Sequence, residues 1–364
     1  MITIKKILTA ALAVSVAAVS SGCAQTSIGS SAETIPENII DSGKENKLSI
    51  VCTVFPGYDW VREILGEKAA DADLTYLLGS GADMHSYQPS AEDILKISDC
   101  DMFVYVGGES DGWTESVLGQ SDNSGMKVVN LMEIIGDSAK SEELKEGMQE
   151  SCDEDHEHDH EDEDHEHEHH EDEDHEHEHH HDEDEPEYDE HVWLSLKNAE
   201  IFCGEIANDL CELDPENSET YKANLAAYTE KLDALDRSFE ELFAGSSENT
   251  LIFCDRFPFR YFVDDYGIDY YAAFLGCSAE TEASFETVIF LAGKLDELGN
   301  DTVYIIENSD GKIARSVIDA SADKERSIAI LDSVQSVSGN DIAEGKTYLG
   351  AMQSNYDVLK NDLG

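Results

Sequence analysis

The stretch SETYKANLAAYTEKLDALDRSFEELF, residues 218–243, reads as a single helix of about 26 residues, long for a globular domain. At the rise of an α-helix it spans about 39 Å, enough to act as a stiff strut between two domains. What it joins is read from either side. Upstream, KLSIVCTVFPGYDWVREILG (47–66) is a buried strand, a turn at Pro56-Gly57 and a helix with Trp60, Val61, Ile64 and Leu65 on its apolar face. ADLTYLLG (72–79) is the next strand. SAEDILKISDC (90–100) opens a helix with Ser90 as N-cap, and DMFVYVGG (101–108) is a strand ending in glycines. A helix over 113–118 and the strand-like MKVVNLMEII (126–135) continue the alternation, and LSLKNAEIFCGEIANDLCEL (194–213) is a helix closed by Asp214-Pro215.

Downstream of the strut the pattern repeats, with strands TLIFCD (250–255), DTVYIIE (301–307) and SIAILD (327–332). Helices fall on FRYFVDDYG (259–267), GKIARSVIDA (311–320) and TYLGAMQSNYDVLKNDL (347–363). Strand and helix in turn argue for mostly parallel sheets flanked by helices. The expected fold class is therefore α/β, two such lobes joined by a long rigid helix. The boundaries are 47–215 for the first lobe, 216–246 for the linker helix and 247–364 for the second lobe.

One segment breaks the alternation. Residues 152–187 hold EDEDHEHEHH twice in succession, at 161–170 and 171–180, and nothing apolar from Asp153 to Glu185. Like charges repel at every spacing and no core can form, so the reading is a mobile loop inserted into a folded lobe. Its 12 histidines among carboxylates can bind several zinc ions weakly, for capture or sensing, with affinity falling as the imidazoles protonate. The whole chain of 364 residues carries 81 acidic against 23 basic side chains, a formal charge of -58. Such a charge repels phosphates and argues against a nucleic-acid partner, while it concentrates cations nearby.

At the N-terminus, Lys5 and Lys6 precede a short apolar run ending in small residues, the pattern of an export signal over 1–23. Cys23 after VSSG resembles the lipid-attachment cysteine of bacterial lipoproteins, which would anchor the chain to the extracytoplasmic face of a membrane; residues 24–46 are then a flexible tether. Seven cysteines remain: Cys52, Cys100, Cys152, Cys203, Cys211, Cys254 and Cys277. No Cys-x-x-Cys pair marks a redox site, and most read as small buried residues.

Of 14 histidines only His85 and His191 lie outside the tract. His85 sits in LLGSGADMHSYQPS (77–90), a loop after a strand, where open α/β sheets place their ligand groups. His191 stands at the end of the acidic run but is followed by Val-Trp-Leu, whose Trp193 and Leu194 can pack into a core and hold the imidazole. In the second lobe Cys254, Asp255, Glu307 and Asp332 fall at expected strand ends. Two histidines with a thiolate and a carboxylate suit a divalent transition metal, thiolate favouring zinc and added carboxylate manganese. The plainer reading, a buried Cys254 and Asp332 as a helix cap, stands beside it.

These segments together resemble the ZnuA-like and manganese-receptor family, the cluster A-I solute receptors of zinc and manganese ABC importers, over Leu48–Leu359. VFPGYDWVREILG (54–66) resembles the family's opening strand and helix, and GADMHSYQPSAEDI (81–94) its first-ligand loop. The stretch beginning YDEHVWLSLKNAE (188–200) resembles its second-ligand segment. The resemblance implies two lobes on a long helix, His85 and His191 as first and second metal ligands, and Asp332 in AILDSVQ (329–335) as the fourth. Where many members carry a third histidine, this chain has CDRFPFRYFVDDYG (254–267), which leaves Cys254, Asp255 or a water as the third ligand. Glu307 matches a position lining the cleft.

The implied function is an exported monomeric receptor that takes up zinc, or alternatively manganese, and passes it to a membrane permease. A metal-dependent hydrolase would need an open coordination position with a base, and outside the tract the chain has neither a His-Glu-x-x-His helix nor a Gly-x-Ser-x-Gly elbow. A surface adhesin is the remaining alternative.

Overall fold

The computed structural model describes residues 47–149, 187–247, 249–278 and 282–364. The expected leader with Cys23, the expected tether, Cys152 and the histidine and acid tract up to Pro186 lie outside them. Short apolar runs make the first sheet: β1 (Ser49–Cys52), β2 (Asp73–Tyr76), β3 (Met102–Tyr105) and β4 (Lys127–Asn130), in the order β2-β1-β3-β4. All its ladders are parallel. β3 is buried along its whole length because helices cover both faces of the sheet, as parallel sheets require.

Between these strands lie α1 (Phe55–Leu65), α2 (Ala91–Asp99), α3 (Trp113–Leu118) and α4 (Leu131–Ile135). Pro56 sits in the first turn of α1, where its missing N–H costs nothing, and Trp60, Val61, Ile64 and Leu65 are buried. α2 opens with the expected Ser90 cap, reciprocated by Asp93. The strand-like run 126–135 divides: Asn130 ends β4 and its side chain accepts the Glu133 N–H, so that LMEII starts α4.

α5 (Leu196–Leu213) and α6 (Ser218–Gly245) come next. α6 is the strut, 28 residues long, or about 42 Å. It is amphipathic rather than buried all round: Tyr221, Tyr228, Leu232, Leu235, Phe239 and Phe243 form its covered stripe, against α1, α5, α7 and α11. The second sheet holds β5 (Thr250–Phe257), β6 (Asp269–Leu275), β7 (Thr302–Ile306) and β8 (Ser327–Leu331), in the order β6-β5-β7-β8, again parallel throughout. Its helices are α7 (Arg260–Tyr266), α8 (Phe285–Leu298), α9 (Lys312–Ala320), α10 (Gly339–Ala343) and α11 (Tyr348–Leu363). The sequence reading assigns neither β6 nor α8, and β6 proves to matter most at the site.

α11 returns across the strut and ties the halves together. The Tyr348 hydroxyl donates to the Trp193 carbonyl at 2.5 Å, and the Tyr348 N–H to Asp59 Oδ2 at 2.7 Å. One large core accordingly includes residues of both sheets. Asp59 is fully buried on α1 and paired with Arg62; burial pushes its carboxyl up to about 6 despite the Tyr348 N–H and Arg62. Its folded pKa is thus raised, so the folded chain holds a proton there that the unfolded chain has lost. Stability from this group falls as pH rises from about 4 to about 6 and is flat above. Against Asp59→Asn, which keeps the acceptor, wild-type should lose about 3 kcal/mol of relative unfolding free energy between pH 4 and pH 7. Urea unfolding of both proteins at the two pH values checks this, and a constant difference would refute it.

Candidate metal centre

His85 lies in a 3-10 turn (Met84–Ser86) beyond β2, where Asp83 accepts the His85 backbone N–H at 3.1 Å. His191 lies just before another such turn (Val192–Leu194) whose three side chains are all buried. The two imidazoles converge with Nε2 atoms 3.3 Å apart. Four donors around one zinc at 2.0–2.1 Å stand about 3.3 Å from one another, and this spacing matches one edge of such a tetrahedron. A third donor completes the face: Cys277 Sγ and one ring nitrogen of each histidine all lie within 4.8 Å of one another.

Each imidazole is aimed from behind. His85 Nδ1 lies 2.8 Å from Ser110 Oγ and 3.4 Å from Glu190 Oε2, and Ser110 in turn donates its hydroxyl to Glu190. His191 Nδ1 lies 3.1 Å from Asp189 Oδ1, which also accepts the His191 backbone N–H at 2.8 Å. A carboxylate behind each ring fixes the tautomer that turns Nε2 toward a metal. Burial alone would push His191 down, but the Asp189 charge and hydrogen bond, with Glu190 and Gln335, outweigh it and hold the imidazole above its usual value. Burial likewise tends to raise Glu190, yet hydrogen bonds from His85 and Ser110 hold it below the usual carboxylate range. The tripeptide Asp189-Glu190-His191 therefore supplies one imidazole and the carboxylates behind both.

Two glycines make room for this convergence. A side chain at Gly108 would meet Glu190 Oε1 at 2.1 Å, and one at Gly276 would meet the Phe257 carbonyl at 2.8 Å and His191 Cε1 at 3.2 Å. Gly276 thus lets the end of β6 approach the imidazole, and Cys277 is the very next residue. Burial first, then the charges of Glu142, Asp189 and Glu190, push the Cys277 thiol up. Glu142 accepts the Cys277 backbone N–H at 3.0 Å. A cavity of about 360 Å³, lined by His85, Ser110, Glu142, Glu190, Cys277 and their neighbours, opens from the donors outward.

The other residues expected as ligands are not among these three donors. β5 continues to Phe257 instead of ending at Asp255, so Cys254 is mid-strand and alternation turns it into an apolar cluster with Ile252, Phe274, Leu291 and Val303. Asp255 lines a larger cavity of about 1050 Å³, which His85 also borders, together with Asp83, Arg256 and Glu307. Asp332 is held by Lys346 at 2.6 Å and by the Val334 N–H at 2.9 Å, and is absent from the three-donor group. Glu307 accepts the Ser333 N–H at 2.7 Å and its hydroxyl at 2.6 Å, supporting the loop after β8. Sequence reasoning missed Cys277 because one cysteine among seven carries no spacing signal; the usable signal was its place, directly after the apolar run YYAAFLG.

Known proteins match this chain in sequence and in fold. The family described as ZnuA, zinc-uptake complex component A, periplasmic, matches residues 50–362. The zinc-binding lipoprotein AdcA of Streptococcus pneumoniae is 28% identical over 318 residues, 87% of this chain and 56% of AdcA. The chain thus spans little more than half of that relative. The high-affinity zinc uptake system protein ZnuA of Bacillus subtilis is 28% identical over 320 residues, covering 88% and 89% of the two chains. Among solved structures, the Zn(II)-bound ZnuA-like domain of S. pneumoniae AdcA shares the fold with a TM-score of 0.63 at 24% identity, over 87% of this chain and 99% of that domain. The metal-dependent lipoprotein YcdH of B. subtilis does so with 0.65 at 22%, over 87% and 100%. With both lobes, the strut and the histidine segments inside the matched residues, the chain belongs to the ZnuA family.

Proposed function

We propose that this chain is the extracytoplasmic solute-binding component of an ABC importer, holding zinc between its lobes on His85, His191 and Cys277 and handing it to a membrane permease. The observation that carries the reading is the 3.3 Å approach of two carboxylate-backed imidazoles beside the Cys277 thiol. The protein acts by binding and release, without catalysing a reaction. Two nitrogens and a sulfur favour zinc over manganese, which prefers oxygen donors and a higher coordination number. Residues 47–215 and 247–364 serve as the lobes, and a lipid on Cys23 would keep the receptor beside its permease, in keeping with AdcA and YcdH being lipoproteins.

The test is a zinc titration by competition with a chromophoric chelator. Wild-type should show one tight site. His85→Ala and His191→Ala should each weaken it by at least about 100-fold, since each removes one of a few donors sharing some 10–16 kcal/mol. A tight site that survives both substitutions would refute the assignment, as would tighter binding of manganese than of zinc.

A further inference from the structure

The loop after β8 is more tightly constrained than a connection needs to be. The N–H and carbonyl of Asp332 both bond the Asn355 side chain, at 2.7 and 2.8 Å. Ser333 is held through its N–H and hydroxyl by Glu307, and its carbonyl accepts the Trp193 indole N–H at 2.8 Å. Between these anchors Val334 adopts φ 62, a left-handed conformation that is strained for a β-branched residue and persists only where the surroundings impose it. What the strain achieves is the aim of the next side chain. Gln335 is 2% exposed, and its Oε1 lies 3.0 Å from His191 Nε2.

That contact cannot outlast metal binding. With Nδ1 engaged by Asp189, His191 must offer the Nε2 lone pair to the ion and so loses the proton it would donate to Gln335. The amide oxygen is then buried without its partner, at a cost of about 1–3 kcal/mol, unless the arriving ion takes the partner's place. Among the described residues Gln335 Nε2 has no hydrogen-bond partner, so none of them holds the amide from its other side. We propose that Gln335 Oε1 is the fourth donor, closing a site of two imidazoles, one thiolate and one neutral amide. This rests on the His85, His191 and Cys277 reading above. It also gives roles to Asp332 and Glu307, which hold the backbone that aims Gln335.

The experiment loads wild-type, Gln335→Ala and Gln335→Glu with Co²⁺, monitored by absorption spectroscopy, and with Zn²⁺, monitored by competition. Wild-type should show a sulfur-to-cobalt charge-transfer band and intense tetrahedral ligand-field bands. In Gln335→Ala the charge-transfer band should persist while the ligand-field bands shift, and zinc affinity should fall by about 10-fold or more. Gln335→Glu, which keeps the length and offers a stronger oxygen donor, should restore affinity to at least the wild-type value with a third ligand-field spectrum. Ligand-field bands of Gln335→Ala that superimpose on wild-type would overturn the proposal while leaving the three-donor reading intact, as would Gln335→Glu binding no better than Gln335→Ala. Absence of the charge-transfer band from wild-type would defeat the Cys277 assignment and this inference with it.

Discussion

Replacing Cys277 with alanine should weaken zinc binding on the order of 100- to 1000-fold, while the same change at Cys254 should leave it unaltered. A thiolate is the strongest donor in the set, and a quarter share of about 10–16 kcal/mol corresponds to that factor. The two cysteines are a sharp pair because Cys254 is buried, Cys277 is partly buried, and both lie in the second lobe. Cys254 points into an apolar cluster, whereas Cys277 lies past the end of β6 beside the histidines. Cys254→Ala should cost only about 1 kcal/mol of stability, the ordinary effect of a small cavity. Zinc competition on both variants decides the matter, and a loss of affinity in Cys254→Ala with none in Cys277→Ala would reverse the assignment.

Trp193→Ala should lower the unfolding free energy by about 3–5 kcal/mol, the range for deleting a buried large aromatic side chain. The indole is fully buried in the core that also holds Trp60 and Phe202, and its ring centre is 5.3 Å from that of His191. Its N–H donates to the Ser333 carbonyl, and its own carbonyl accepts the Tyr348 hydroxyl. The residue therefore joins the turn after His191 to the loop after β8 and to α11, and the cavity left by alanine would loosen all three. Trp193→Phe keeps most of the volume but leaves the Ser333 carbonyl unpaired, and should cost about 1–3 kcal/mol. Chemical unfolding of the metal-free proteins measures both, and an alanine variant within about 1 kcal/mol of wild-type would contradict this account.

Much of the fold was legible because its signals are local. Ser90 with Asp93 at the start of α2 and the apolar spacing of the strut each act over a few residues, and each appears in the structure where the sequence puts it, whereas the turn expected at Pro56-Gly57 is already the first turn of α1, which Pro56 opens. β6 was harder: its run DYYAAFL alternates poorly, since two of its three aromatic side chains and both its alanines are buried on opposite faces. A parallel strand covered on both sides loses the period that would reveal it.

The site divides in the same way. Composition and position alone distinguish His85 and His191 from the twelve histidines of the tract, because Val192, Trp193 and Leu194 beside His191 can be buried and the acidic neighbours of the tract histidines cannot. Which residues meet those two rings is not a local property. Cys277 is 86 residues from His191 and Gln335 is 144 residues away, and their approach depends on the ends of β6 and β8 facing the first lobe across the strut. The place of Cys254 turned on where β5 stops: a strand that runs on to Phe257 turns Cys254 into the core, and it is Cys277, past the end of the neighbouring β6, whose sulfur stands near the two histidines. Local chemistry determined the lobes, the strut and the two imidazoles, and tertiary packing decided which sulfur and which amide stand beside them, because only the packed sheets bring distant strand ends to one point.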